Sequence, residues 1–104
     1  MRILKFIVQA QTITMDPDCD FSGIVSGTQG YLQAQFNVSK EWAGCRMAAV
    51  FRCLRKEYAQ PVKNGRCEIP ADALTWDRFS VRLVGQKENY RITTDKIIIQ
   101  QERR

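Results

Sequence analysis

"QFNVSKEWAGCRMAAVFR", residues 35–52, decides the fold, because it supports two incompatible structures. As a helix from about Lys40, it places Ala43, Met47, Val50, Leu54 and Tyr58 on one apolar face, with Arg52, Arg55 and Lys56 behind. As two strands joined by a turn, it places Met47, Ala49, Phe51 and Cys53 on one face at period two. Phe51 separates the two: a helix leaves it at the edge of the apolar stripe, and a strand buries it. Gly44 also opposes a helix, at a cost of about 1 kcal/mol relative to alanine, and suits a turn before a strand. The residues therefore favour a strand beginning near Arg46.

The flanking segments agree. Residues 3–9 are apolar and β-branched, and Thr12-Ile13-Thr14-Met15 continues as a short second piece. Leu32, Ala34, Phe36 and Val38 alternate with polar residues, as in a half-buried strand. Asn64-Gly65 is a strong hairpin signal. Phe79 to Val84 alternates again, Gln86 to Asn89 reads as a polar turn, and Tyr90 to Gln100 reads as a last, bulged strand. Pro70 to Leu74 reads as one helical turn between strands. Turn signals spaced this closely predict an all-β sandwich or barrel. With 104 residues, the chain suits a single domain over 1–104.

Asp16 to Gly30 is rich in Asp, Gly and Ser and reads as a long loop, a kind that often interacts with something. Within it, Phe21, Ile24 and Val25 are apolar residues that a solvated loop does not need. Two roles are open to them: a lid folded back on the core, or a candidate protein–protein contact. Asp16-x-Asp18-x-Asp20 resembles the opening of a calcium loop. The match fails at Phe21, where glycine is needed, and at Gly27, where a bidentate glutamate is needed. A solvated turn is the expectation, with no metal.

The composition bounds the chemistry. Hydrophobic residues make up 44% and charged residues 26%, an ordinary globular balance. No apolar run reaches the length of a membrane-spanning helix, and the first residues turn polar too soon for a signal peptide. Synthesis and folding in a cytoplasm are expected. The four cysteines, Cys19, Cys45, Cys53 and Cys67, form no Cys-x-x-Cys pair, and no histidine is present to complete a zinc site. They read as free thiols, with Cys53 and Cys67 buried on facing strands. Without histidine the commonest general base is missing, and no glycine-rich phosphate loop opens a helix. A non-enzymatic protein with no cofactor is expected. The charge of +5 favours acidic partners only weakly, because the basic residues are spread over several elements. A small nucleic-acid-binding or regulatory domain, with Tyr31, Tyr58 and Tyr90 as stacking residues, is the alternative reading.

A resemblance adds to these readings. "YLQAQFNVSKEWAGCRMAAVFR", "EIPADALTWDRFSVRLVG" and "YRITTDKIIIQ" together resemble the small immunoglobulin-like domains of bacteriophage tail and baseplate proteins. The likeness is to the N-terminal domain of phage baseplate upper proteins. Phe36, Ser39, Glu41, Trp42, Gly44 and Phe51 stand at the family's motif positions, followed by Ile69-Pro70 and Phe79-Ser80-Val81. Asp95 stands where the family usually has Asn. The resemblance spans about Leu4 to Gln100. It implies an immunoglobulin-like β-sandwich of about seven strands with one short helical turn, and a strand over residues 46–54. It implies a phage or prophage virion structural protein, made in a bacterial host cytoplasm. Its partners would be other tail or baseplate proteins, with contacts between copies of itself also open. On this reading Trp42 is a structural plug, folded over the end of the sandwich between the sheets. Its functional alternative is a surface anchor.

Overall fold

The structure is a computed structural model and describes residues 1–102. Among these residues nine strands form: β1 (Arg2–Gln9), β2 (Thr12–Met15), β3 (Leu32–Val38), β4 (Arg46–Cys53), β5 (Lys56–Val62), β6 (Arg66–Glu68), β7 (Arg78–Lys87), β8 (Tyr90–Thr93) and β9 (Ile97–Gln100). Two 3₁₀ turns, Lys40–Trp42 and Ala71–Leu74, complete the regular structure. The strands make two sheets. One has the order β2-β1-β3-β6; the other has the order β5-β4-β7-β8, with β9 also on β7. The fold is an all-β sandwich. Among the described residues, no helix is long and apolar enough to cross a membrane.

Residues 35–52 resolve to strand, 3₁₀ turn and strand. Ser39 leaves β3 in extended backbone, Lys40–Trp42 make the turn, and β4 begins at Arg46. Phe51 and Ala49 are buried, as the strand reading requires. Phe51 pairs with Val81 on one side and Tyr58 on the other.

The strand count exceeds the expected seven for two reasons. The β4 strand turns back sharply at Leu54-Arg55 into β5, with Cys53 opposite Lys56. The last stretch divides into β8 and β9, which pair with opposite halves of β7. Thr94 fills the break: its N–H donates to the Leu83 carbonyl (3.0 Å) and its hydroxyl accepts from the Leu83 N–H (3.0 Å). The bulge read in the sequence is this interruption.

The core follows from register. Leu4, Phe6 and Val8 of β1 lie level with Ala34, Phe36 and Val38 of β3 in a parallel pair. Phe6 and Phe36 stack with ring centroids 5.4 Å apart. Phe51, Phe79, Val81 and Leu83 face them from the second sheet. Asp95 ties the sheets together at one end. Its carboxylate accepts from the Ile13 N–H (3.0 Å), and its N–H donates to the Gln11 carbonyl (2.9 Å).

Candidate functional site

The long loop is a lid. Ile24 is 2% exposed and belongs to the core. Its carbonyl accepts from the Glu102 N–H (2.6 Å), and the Ser26 N–H returns a bond to the Glu102 carbonyl (2.8 Å). Phe21 packs edge-on against Phe6 at 5.4 Å. Val25 is 37% exposed and Phe21 is half-buried. The contact patch expected of Phe21, Ile24 and Val25 is corrected at Ile24, which is a core residue. A side chain that seals the core between sheets cannot also be offered to a partner.

Hydrogen bonds hold the loop in this place. The Arg2 guanidinium donates to the carbonyls of Asp20 (2.9 Å), Ser22 (2.6 Å) and Gly23 (3.4 Å). Asp16 and Asp20 accept from backbone N–H groups two residues on, at 2.9 and 2.8 Å, as in Asx turns. The Ser22 hydroxyl also donates to the Asp20 carboxylate, and these two bonds hold that carboxyl below its usual range. Each of these carboxylates thus has a local turn to support. Among the described residues, no three His, Cys, Asp or Glu side chains converge as a metal site requires.

Trp42 is fully buried, and its indole N–H donates to the Ala10 carbonyl in the β1–β2 turn at 2.9 Å. Its ring lies against Gly85 of β7. It therefore bridges the two sheets as a plug; the surface-anchor alternative fails because no part of the indole is offered to solvent. All four cysteines are free. Cys53 and Cys67 are buried on strands of different sheets, while Cys19 and Cys45 are half-buried. The Cys67 thiol is pushed up to about 12 by burial. Of the three tyrosines, Tyr58 packs against the core and Tyr90 donates its hydroxyl to the Glu41 carbonyl at 3.1 Å. Tyr31 is exposed on its own at the start of β3. They do not form a stacking groove.

The outward faces of the two sheets differ sharply. On the first, Gln9, Thr12, Thr14, Gln33, Gln35 and Asn37 surround Ile3 and Ile7, and the charged residues are Lys5, Arg66 and Glu68, of mixed sign. On the second, strand register gathers Arg46, Arg52, Arg78, Arg82 and Arg91. Arg46 and Arg91 flank Gln86 in one cross-strand row. The floor between the arginines is Ala48, Val50, Ala59 and Val84, with Pro61 at the β5 edge and Ile98 at 47% exposure on β9. Glu57 is the one carboxylate in these strand positions. Among the described residues only Arg82, with Glu57, and Arg78, with neighbouring Asp77, lie within ionic reach of a carboxylate, each at 3.7 Å. Arg46, Arg52 and Arg91 are uncompensated.

This face is the candidate site, and the sequence reading missed it. The five arginines are up to 45 positions apart in the chain, from Arg46 to Arg91. The available signal was parity: in each alternating strand the arginines occupy the positions opposite the buried ones. No family model matches the chain, and no curated protein matches it.

Proposed function

We propose that this chain is a non-enzymatic structural module of a phage or prophage virion, acting in the tail or baseplate through protein–protein contacts. Its docking surface is the outer face of the second sheet. The observation that carries the contact reading is the arginine-studded, apolar-floored surface on β4, β5, β7, β8 and β9. Arginine and apolar area together are what protein interfaces concentrate, with arginine favoured over lysine. None of the six lysines stands on an outward position of these strands.

The virion assignment, and the immunoglobulin-like kinship with it, rest on the motif resemblance around Phe36, Trp42, Gly44 and Phe51. The burial of Trp42 over the end of the sandwich agrees with the role that resemblance implies.

The test is incorporation. A tagged chain is expressed in the strain that encodes it, prophage is induced, and particles are separated by sedimentation. The chain is expected in the tail-bearing fraction at a fixed ratio to other tail proteins. Recovery only in the unsedimented fraction overturns the assignment.

A further inference from the structure

We infer that the partner seated on the second sheet is a different protein with an acidic surface, and not a second copy of this chain or a nucleic acid. The inference deepens the contact reading above and rests on it. Three observations lead to it.

The first is charge. Two of the five arginines lie beside carboxylates, Arg82 by Glu57 and Arg78 by Asp77, and the remaining Arg46, Arg52 and Arg91 have no ionic partner among the described residues, so the face keeps a net positive charge. A two-fold dimer through this face would set the arginines of one copy against those of the other. Like charges brought together across an interface cost several kcal/mol, which disfavours a second copy on this face.

The second is the floor. Ala48, Val50, Ala59 and Val84 form a continuous apolar strip between the arginine rows, with Pro61 beside it. Phosphate backbones make no use of such a strip, and single-stranded nucleic acid would want aromatic platforms in its place. The strand positions of this face carry no aromatic residue; Trp76 lies at its margin, where its ring is stacked under the Arg78 guanidinium at 5.8 Å, a single platform and not a row of them. A protein surface with carboxylates around small apolar side chains would satisfy both features at once: the strip is desolvated while the guanidinium groups pair bidentately at its margins.

The third is size and shape. Four columns of strands and the length of β7 give a sheet face roughly 15 by 30 Å, hollowed between Arg46, Ala48, Ala59, Pro61, Val84 and Gln86, and extended by the arginine side chains toward the ~800 Å² per partner of a standard interface.

The experiment follows backbone amide shifts of the full, isotopically labelled chain by NMR at an ionic strength of about 0.05 M. The ligand is a helical peptide carrying two rows of glutamates on either side of an alanine stripe. Shifts are expected on β4, β7 and β8. Binding should weaken about tenfold or more in R46E/R91E, whose exposed positions leave the core intact, and should weaken again at about 0.5 M salt. The same peptide with glutamine for glutamate should not bind.

An oligonucleotide of equal charge that binds the face more tightly than the peptide overturns the inference in favour of nucleic acid. Concentration-dependent self-association lost in R46E/R91E overturns it in favour of a second copy. Shifts confined to other surfaces, or no shifts, overturn it outright. Virion incorporation is read separately by sedimentation, so a failure here with incorporation intact removes the acidic partner and leaves the structural assignment. Loss of incorporation with peptide binding intact does the reverse.

Discussion

Trp42 lies against Gly85 so closely that a Cβ on the glycine would sit 2.8 Å from two indole ring carbons, Cε3 and Cζ3. Gly85 is a strand residue of β7, opposite Met47 on one side and Ile92 on the other. Its backbone does not require glycine; the indole does. Gly85→Ala should therefore destabilise the protein by about 1–3 kcal/mol through overpacking. Trp42→Ala should cost about 3–5 kcal/mol, from lost burial and an orphaned Ala10 carbonyl. In the double variant the alanine at 85 no longer meets a ring, so the two costs should fall short of their sum. Urea denaturation of the four proteins measures the cycle, and strict additivity would show that the contact is not what restricts position 85.

The relationship shows where the sequence was readable. Trp42 and Gly44 marked a turn, and the turn is there, with Gly44 at φ 78°. Period-two alternation identified β3, β4 and β7, because each strand has one face in the core. Asn64-Gly65 identified its hairpin, and both residues have positive φ, 54° and 75°. Gly85 carried no such mark, because its constraint comes from a side chain 43 positions away in the sequence. The arginine face was hidden for the same reason: outward positions of separate strands become neighbours only through register. The turn at 54–55 was hidden differently, since leucine there looks like a member of an apolar stripe. Leu54 was one of the five residues of the apolar stripe behind the helical reading of residues 40–58.

The lid role of the long loop separates two adjacent residues. Ile24→Ser removes a core side chain and places a hydroxyl between the sheets, which should cost about 3 kcal/mol or more. Val25→Ser, at a half-open site, should stay within about 0.5 kcal/mol. Equal, small effects at both positions would put Ile24 back on the surface as a contact residue. Thermal or urea midpoints of the two single variants decide it.

Burial of the Cys67 thiol makes stability fall at alkaline pH. Its pKa rises from an ordinary 9.0 to about 12 in the folded chain. Below about pH 9 the thiol is protonated in both states and contributes no pH dependence. Between about pH 9 and 12 only the unfolded chain releases the proton, so this group's contribution to stability declines across that window. Cys67→Ala should flatten that part of the profile. For the same reason Cys67 should resist alkylation in the native protein at pH 8, where its thiolate fraction is of order 10⁻⁴. Cys19 and Cys45, half-buried, should label first. Rapid native labelling of Cys67 would contradict its position on the inner face of β6.

Leu54 offers a case where substitution should stabilise. It is the first residue of the two-residue turn between Cys53 and Lys56, with φ 60°, a position that glycine ordinarily fills in such hairpins. Left-handed backbone costs an L-residue roughly 1–2 kcal/mol. Leucine gains little in return, since it remains 59% exposed. Leu54→Gly removes the steric cost but gives the unfolded chain more freedom, which offsets part of the gain. The net expectation is an increase of about 0.5–1 kcal/mol, with Leu54→Asn giving part of it, because asparagine tolerates the left-handed region. Leu54→Val should go the other way, since branching at Cβ makes positive φ still harder to hold. The order Gly, Asn, Leu, Val in urea midpoint is the expected result. Leucine at the top of that series would mean that its exposed side chain makes a stabilising contact across the hairpin tip, outweighing the backbone strain.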